Sequence, residues 1–157
     1  LNLSRVAVLT SANTCSASES IVNSLRGVGI QVIEIGSTTC GKPYGFYPQD
    51  NCGTTYFSIQ FQGVNDQGFG DYPDGFSPAN ATGSVGVLLP GCSVADDFTH
   101  ALGDRNERRL QAALGYLSGQ GCPAPSGVSA PGVLRALSAT DGLLPRSPWR
   151  ENRIYRR

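Results

Sequence analysis

The sequence predicts an α/β fold organised around a βαβ unit, and three stretches carry that prediction. Arg5-Val-Ala-Val-Leu-Thr10 is a continuous apolar and β-branched run, as in a strand covered on both faces. Residues 16–26 repeat Ile21, Val22 and Leu25 at helical spacing, and Gly27 and Gly29 stop the helix. Ile30-Gln-Val-Ile-Glu-Ile35 alternates as a second strand and ends at Gly36. Strand, helix and strand in about 30 residues make a parallel pair with a right-handed crossover. The first strand, apolar throughout, is expected at the centre of the sheet.

The later elements follow in order. Residues 37–53 are rich in Gly, Pro, Thr and Tyr, and 54–61 (TTYFSIQF) predicts a third strand. From Gly63 to Pro90 the chain is punctuated by Gly, Asn, Asp and Pro, which predicts a long loop, either a surface excursion or part of a substrate rim. Two C-terminal helices are expected, a short one over 97–102 and a longer one over 106–117. In the longer one Leu110, Ala113, Leu114 and Leu117 form a stripe, and Asp104 with Glu107 has capping-box spacing. Residues 122–157 read as a Pro/Gly/Arg-rich tail, partly extended or mobile. There is no internal repeat and no membrane-length apolar run.

Composition narrows the function classes. A 157-residue chain that is 39% hydrophobic and 15% charged fits one globular unit with a core. Twelve basic and twelve acidic residues cancel, so net charge recruits neither nucleic acid nor an anionic membrane. Arg146, Arg150, Arg153, Arg156 and Arg157 face only Glu151 after Gly142, so the end of the chain is basic. The chain starts at Leu1 and contains no Met, which predicts a piece of a longer protein whose upstream domain and signal peptide precede it. Cys15, Cys40, Cys52, Cys92 and Cys122 include no CxxC pair and no companion histidine cluster, which argues against a metal site. They predict one or two disulfides and a leftover thiol in an oxidising compartment. Cys52 with Cys92, or Cys40 with Cys52, are the expected pairs.

The chemistry centres on SANTCSASES, residues 11–20. Ser16 at an N-cap with Glu19 three residues on makes a capping box, which is common in helices of no catalytic interest. A serine where a strand enters a helix is also presented at the sheet edge, beside helix amides able to stabilise an oxyanion. It needs a base. His100, the single histidine, sits in a short apolar segment where packing is the commoner role. Lys42 is the single lysine against eleven arginines and follows the second strand. Parallel strands end on the same side, so Ser16 and Lys42 are expected to emerge close together. A lysine serves as a base when burial renders it neutral, which arginine cannot do. Otherwise Lys42 is a solvated charge.

Thr14-Cys-Ser-Ala-Ser-Glu19 and Ile35-Gly-Ser-Thr-Thr-Cys-Gly-Lys42 resemble the two motifs of the carboxyl-terminal processing, or tail-specific, serine proteases. Gly68–Pro78 and Asp96–Asp104 look like a bacterial branch of that family, and the resemblance covers residues 5–120. It implies a crotonase/ClpP-like α/β fold with a mixed sheet. It makes residues 1–121 the C-terminal portion of a larger catalytic domain. Ser16 maps to the nucleophile and Lys42 to the general base, 26 positions apart. The Ala17 backbone amide would be the local oxyanion donor. The family's orienting glutamine falls at Phe46, so Gln49 or Thr39 would take its place.

The implied activity is a serine endopeptidase acting near the C-termini of protein or peptide substrates. It requires no cofactor, and an exported setting in the bacterial periplasm or cell envelope goes with it. The alternatives are a catalytically inactive homologue that binds peptide or a wall component, and a structural domain whose Ser16 only caps a helix.

Overall fold

The structure, a computed structural model, describes residues 2–124. The tail expected over 122–157 and its arginines therefore lie, past residue 124, outside the described residues. The predicted βαβ unit is present as β1 (Arg5–Thr10), α1 (Ala17–Gly27) and β2 (Gln31–Gly36), with β1 and β2 parallel in register Arg5↔Gln31 through Thr10↔Gly36. The central strand is β2, however, and not β1. A three-residue strand, β9 (Gly91–Ser93), pairs parallel with the far side of β2, giving the order β1-β2-β9. This sheet is parallel throughout, and antiparallel pairing is confined to separate ribbons.

Helices cover both faces, as a parallel sheet requires. On one face Val22 of α1 packs with Val32, Tyr72, Phe76 and Leu89. On the other, Ile33, Ile35, Cys92 and Val94 pack with Ala113 of α2 (Arg108–Leu117). Alternate β2 side chains thus enter two different cores.

The predicted third strand is divided. β3 (Tyr44–Gly45) pairs with β6 (Phe61–Gln62), and β4 (Gln49–Asn51) pairs with β5 (Thr54–Tyr56). Together they form one hairpin arm. Cys52 and Gly53, both at positive φ, turn its tip, and the two pairings are offset by one residue, as at a bulge. Phe46 meets Phe57 edge-on at 5.3 Å, and Tyr47 meets Phe61 at 5.2 Å, yet all four rings remain largely exposed.

The stretch expected to be a long loop is in large part core. It contains β7 (Phe76–Pro78) and β8 (Val87–Leu89), a parallel pair. Phe76 is fully buried, stacked on Tyr72 at 4.8 Å, and the Arg26 guanidinium lies over the Phe69 and Phe76 rings.

Of the two expected C-terminal helices only the longer forms, beginning at Arg108. Its cap is Glu107, whose carboxylate accepts the Arg109 and Leu110 amides, in place of the Asp104–Glu107 box. The segment 97–102 is irregular. Asp97 accepts from the Thr99 amide and hydroxyl and from the His100 ring, and these local bonds compete with helix formation.

Neither expected disulfide forms. Cys15 is bonded to Cys40 and Cys92 to Cys122, leaving Cys52 as the exposed free thiol. Cys15 and Cys40 follow the carboxyl ends of adjacent parallel strands, which brings their Cα atoms to 5.3 Å, within bridging range. Cys122 is thereby tied to β9.

Candidate active site

Two loops leave the carboxyl end of the sheet side by side. The first, 11–16, is ordered by its own bonds: the Ser11 amide donates to Thr14 Oγ1 at 2.9 Å and the Thr14 amide to the Ser11 carbonyl at 2.9 Å. It delivers Ser16 to the start of α1. Ser16 has φ 53° and ψ −108°, a conformation in which a side chain is strained by roughly 1–3 kcal/mol. A sharp strand-to-helix turn of this kind is how many serine nucleophiles are mounted, because it lifts Oγ clear of the backbone. Ser16 is exposed. The next residue, Ala17, is the first of the helix, so its amide has no acceptor one turn back and is free for an incoming oxygen.

The second loop, 37–43, carries Thr39, Gly41 and Lys42. Glu19 joins it to the first. This carboxylate is fully buried and only accepts. Its Oε1 takes the Thr39 hydroxyl and the Gly41 amide, each at 2.6 Å, and its Oε2 takes the Lys42 amide at 2.8 Å and the Ser16 amide at 2.9 Å. The Ser16 and Lys42 nitrogens are therefore no farther apart than two hydrogen bonds laid end to end. Placed in the first turn of α1, the carboxylate also meets the positive end of the helix. The Cys15–Cys40 disulfide and a 3.1 Å bond from the Cys40 amide to the Thr14 carbonyl tie the loops a second time. At Gly41 the backbone has φ +77° and presses against the Pro73 carbonyl, where a β-carbon has no room.

The remaining expected residues fall as follows. Lys42 is exposed. Thr39 is buried, its hydroxyl donating to Glu19 and accepting the Phe76 amide at 2.8 Å, so it shapes the loop. Gln49 sits on the hairpin arm, exposed and paired in register with Tyr56. Phe46, also on the arm, is half exposed. His100 is held in its own turn, 2.8 Å from Asp97, whose carboxyl is pulled well below the usual range first by the Thr99 hydroxyl and then by the Thr99 amide and His100. No group of three or more His, Cys, Asp or Glu is arranged to hold a metal among the described residues, and none of their helices is long and apolar enough to cross a membrane.

Sequence reasoning treats Glu19 as half of a capping box and misses that it also binds the other loop. It passes over Glu34 altogether, a carboxyl 1% exposed in the middle of β2. A lone acid inside an apolar strand was the available signal.

No family model and no curated protein matches the chain. Among solved structures it is similar to a protein described as a candidate S41 protease from Bacteroides fragilis, with 27% identity and a TM-score of 0.57. The likeness covers 75% of this chain and 28% of the other, so the chain spans little more than a quarter of that protein's length.

Proposed function

We propose that this chain carries the nucleophile and base of a serine peptidase. The carrying observation is the strained turn at Ser16, fastened through Glu19 to the backbone of Lys42. The likeness to the S41 protease supports peptide substrates. In this reading the side-chain nitrogen of Lys42 removes the Ser16 hydroxyl proton as Oγ attacks a peptide carbonyl. The Ala17 amide stabilises the developing oxyanion, and Lys42 returns the proton to the leaving amine. Water then hydrolyses the acyl-enzyme. Cleavage near substrate C-termini and a crotonase/ClpP-like catalytic domain extending beyond this chain belong to the same proposal. Two disulfides among five cysteines support an exported setting.

A second reading, an inactive relative that binds peptide, is favoured by the exposure of Lys42 and by Phe46 where the family's orienting glutamine falls. Hydrolysis of peptides with a free carboxyl terminus separates the two. Ser16→Ala and Lys42→Ala should each lower turnover by about 10³-fold or more while leaving the fold intact. Peptide binding without turnover in the wild type would select the second reading.

A further inference from the structure

Glu34 is the other buried acid near this site. In register it lies between Val8 of β1 and Gly91 of β9. It shares the α1 face of β2 with Val32. Its Oε2 has no hydrogen-bond partner among the described residues, and its Oε1 has one contact, Thr10 Oγ1 at 3.1 Å. Thr10 Oγ1 also lies 2.9 Å from the carbonyl oxygen of Ser37, where the Lys42 loop begins. A threonine hydroxyl has a single proton, and a carbonyl can only accept. Given to Ser37, that proton is not available for Glu34, so the 3.1 Å contact is a hydrogen bond only if Glu34 supplies the proton. With Glu34 neutral, Glu34 therefore donates to Thr10 and Thr10 to Ser37; with Glu34 ionised, Thr10 can donate to Glu34 instead.

We propose that Glu34 is a positioning residue for the Ser16/Lys42 site: as a buried neutral acid it fixes, through Thr10, the start of the loop whose later residues bind Glu19. This deepens the peptidase reading, although the structural part stands without it. The surroundings favour the neutral form. Burial pushes Glu34 up to about 8; a hydrogen bond from Thr10 opposes it, and the charge of Glu19, facing from α1, adds a smaller push upward. β9 offers only Gly91 at this level. The other titratable groups in the α1 layer are Tyr72, raised by burial and by Glu19, and Arg26, lowered by burial and placed over Phe69 and Phe76. Once Glu34 ionises it can only accept, so the Thr10 proton turns from Ser37 to the carboxylate and the loop loses the side-chain tie at its start, keeping the Ser37 amide bond to the Thr10 carbonyl.

The test compares wild type with Glu34→Gln, a permanently neutral isostere, in the full chain. A folded-state value above the unfolded one means that stability present in acid is lost as pH rises. The wild type should therefore melt progressively below the variant between about pH 5 and about pH 8, with a constant gap above. Above pH 8 the Gly41 and Lys42 amides should exchange with solvent faster in the wild type than in the variant at the same pH. Peptide hydrolysis should fall over that range in the wild type alone. A melting gap that does not change with pH, or equal exchange at pH 9, overturns the proposal. If both proteins are silent towards peptides while the melting and exchange differences appear, the positioning role stands and the peptidase reading falls. Should Glu34→Gln not fold, Thr10→Val cuts the same link and should speed exchange at Gly41 and Lys42 below about pH 8, where the wild type keeps the link, and wild-type protection in that range overturns the proposal.

Discussion

Oε2 of Glu19 accepts the backbone amide of Lys42 at 2.8 Å, across 23 positions of sequence. The bond places the proposed base by its main chain, leaving the side-chain nitrogen free to meet the serine. The same oxygen holds the Ser16 amide, so one buried group sets both ends of the proposed dyad. Glu19→Gln keeps the volume but replaces one acceptor oxygen with an amide nitrogen facing two donors. Hydrogen bonds to a buried charge are worth more than neutral ones, and orphaned donors are penalised. We expect a loss of about 2–4 kcal/mol in a urea melt and a fall in peptide hydrolysis beyond that of the unfolded fraction. Wild-type stability in this variant would mean the carboxylate is dispensable as a clamp.

Phe76 tests the reassignment of residues 63–90 from loop to core. It is fully buried between α1 and β2, stacked on Tyr72 and under the Arg26 guanidinium. A surface excursion would tolerate its removal, whereas a core ring leaves a cavity. Phe76→Ala should cost about 3–5 kcal/mol by equilibrium denaturation. The effect should reach the site as well, because the Phe76 amide and carbonyl bond to Thr39, a partner of Glu19.

What the sequence disclosed, and what it withheld, follows from the range of the interactions. The βαβ unit was legible because its signals are local: apolar runs at 5–10 and 30–35, helical spacing between them, and glycines at the ends. Parallel pairing then foretold that the loops of Ser16 and Lys42 meet. The order of the sheet was not legible, since it depends on β9, three residues of Gly, Cys and Ser that carry no strand pattern. Nor was the core role of β7, buried amid Gly and Pro punctuation. Glu19 looked like a cap because its partner at position 16 is near in sequence, whereas Thr39, Gly41 and Lys42 are contacts that only the folded chain supplies. The disulfide pairing was not legible for the same reason, since Cys15–Cys40 and Cys92–Cys122 are joined by the fold.

The two disulfides offer a controlled comparison. Cys15–Cys40 spans 25 positions and Cys92–Cys122 spans 30, so the loop-closure entropy each removes from the unfolded chain is nearly equal, and loss of either should cost about 3 kcal/mol. Their positions differ in consequence. Cys15 immediately precedes Ser16, and Cys40 lies two residues before Lys42, whereas Cys92 and Cys122 join β9 to the chain beyond α2. Cys15→Ser/Cys40→Ser and Cys92→Ser/Cys122→Ser should therefore lose similar stability in denaturant. Only the first pair should also lose peptide hydrolysis in the folded protein, by about tenfold or more, because small misplacements of reacting groups are costly. Equal hydrolysis in the two folded variants would show that Glu19 alone aligns the loops and that the bridge between them serves stability only.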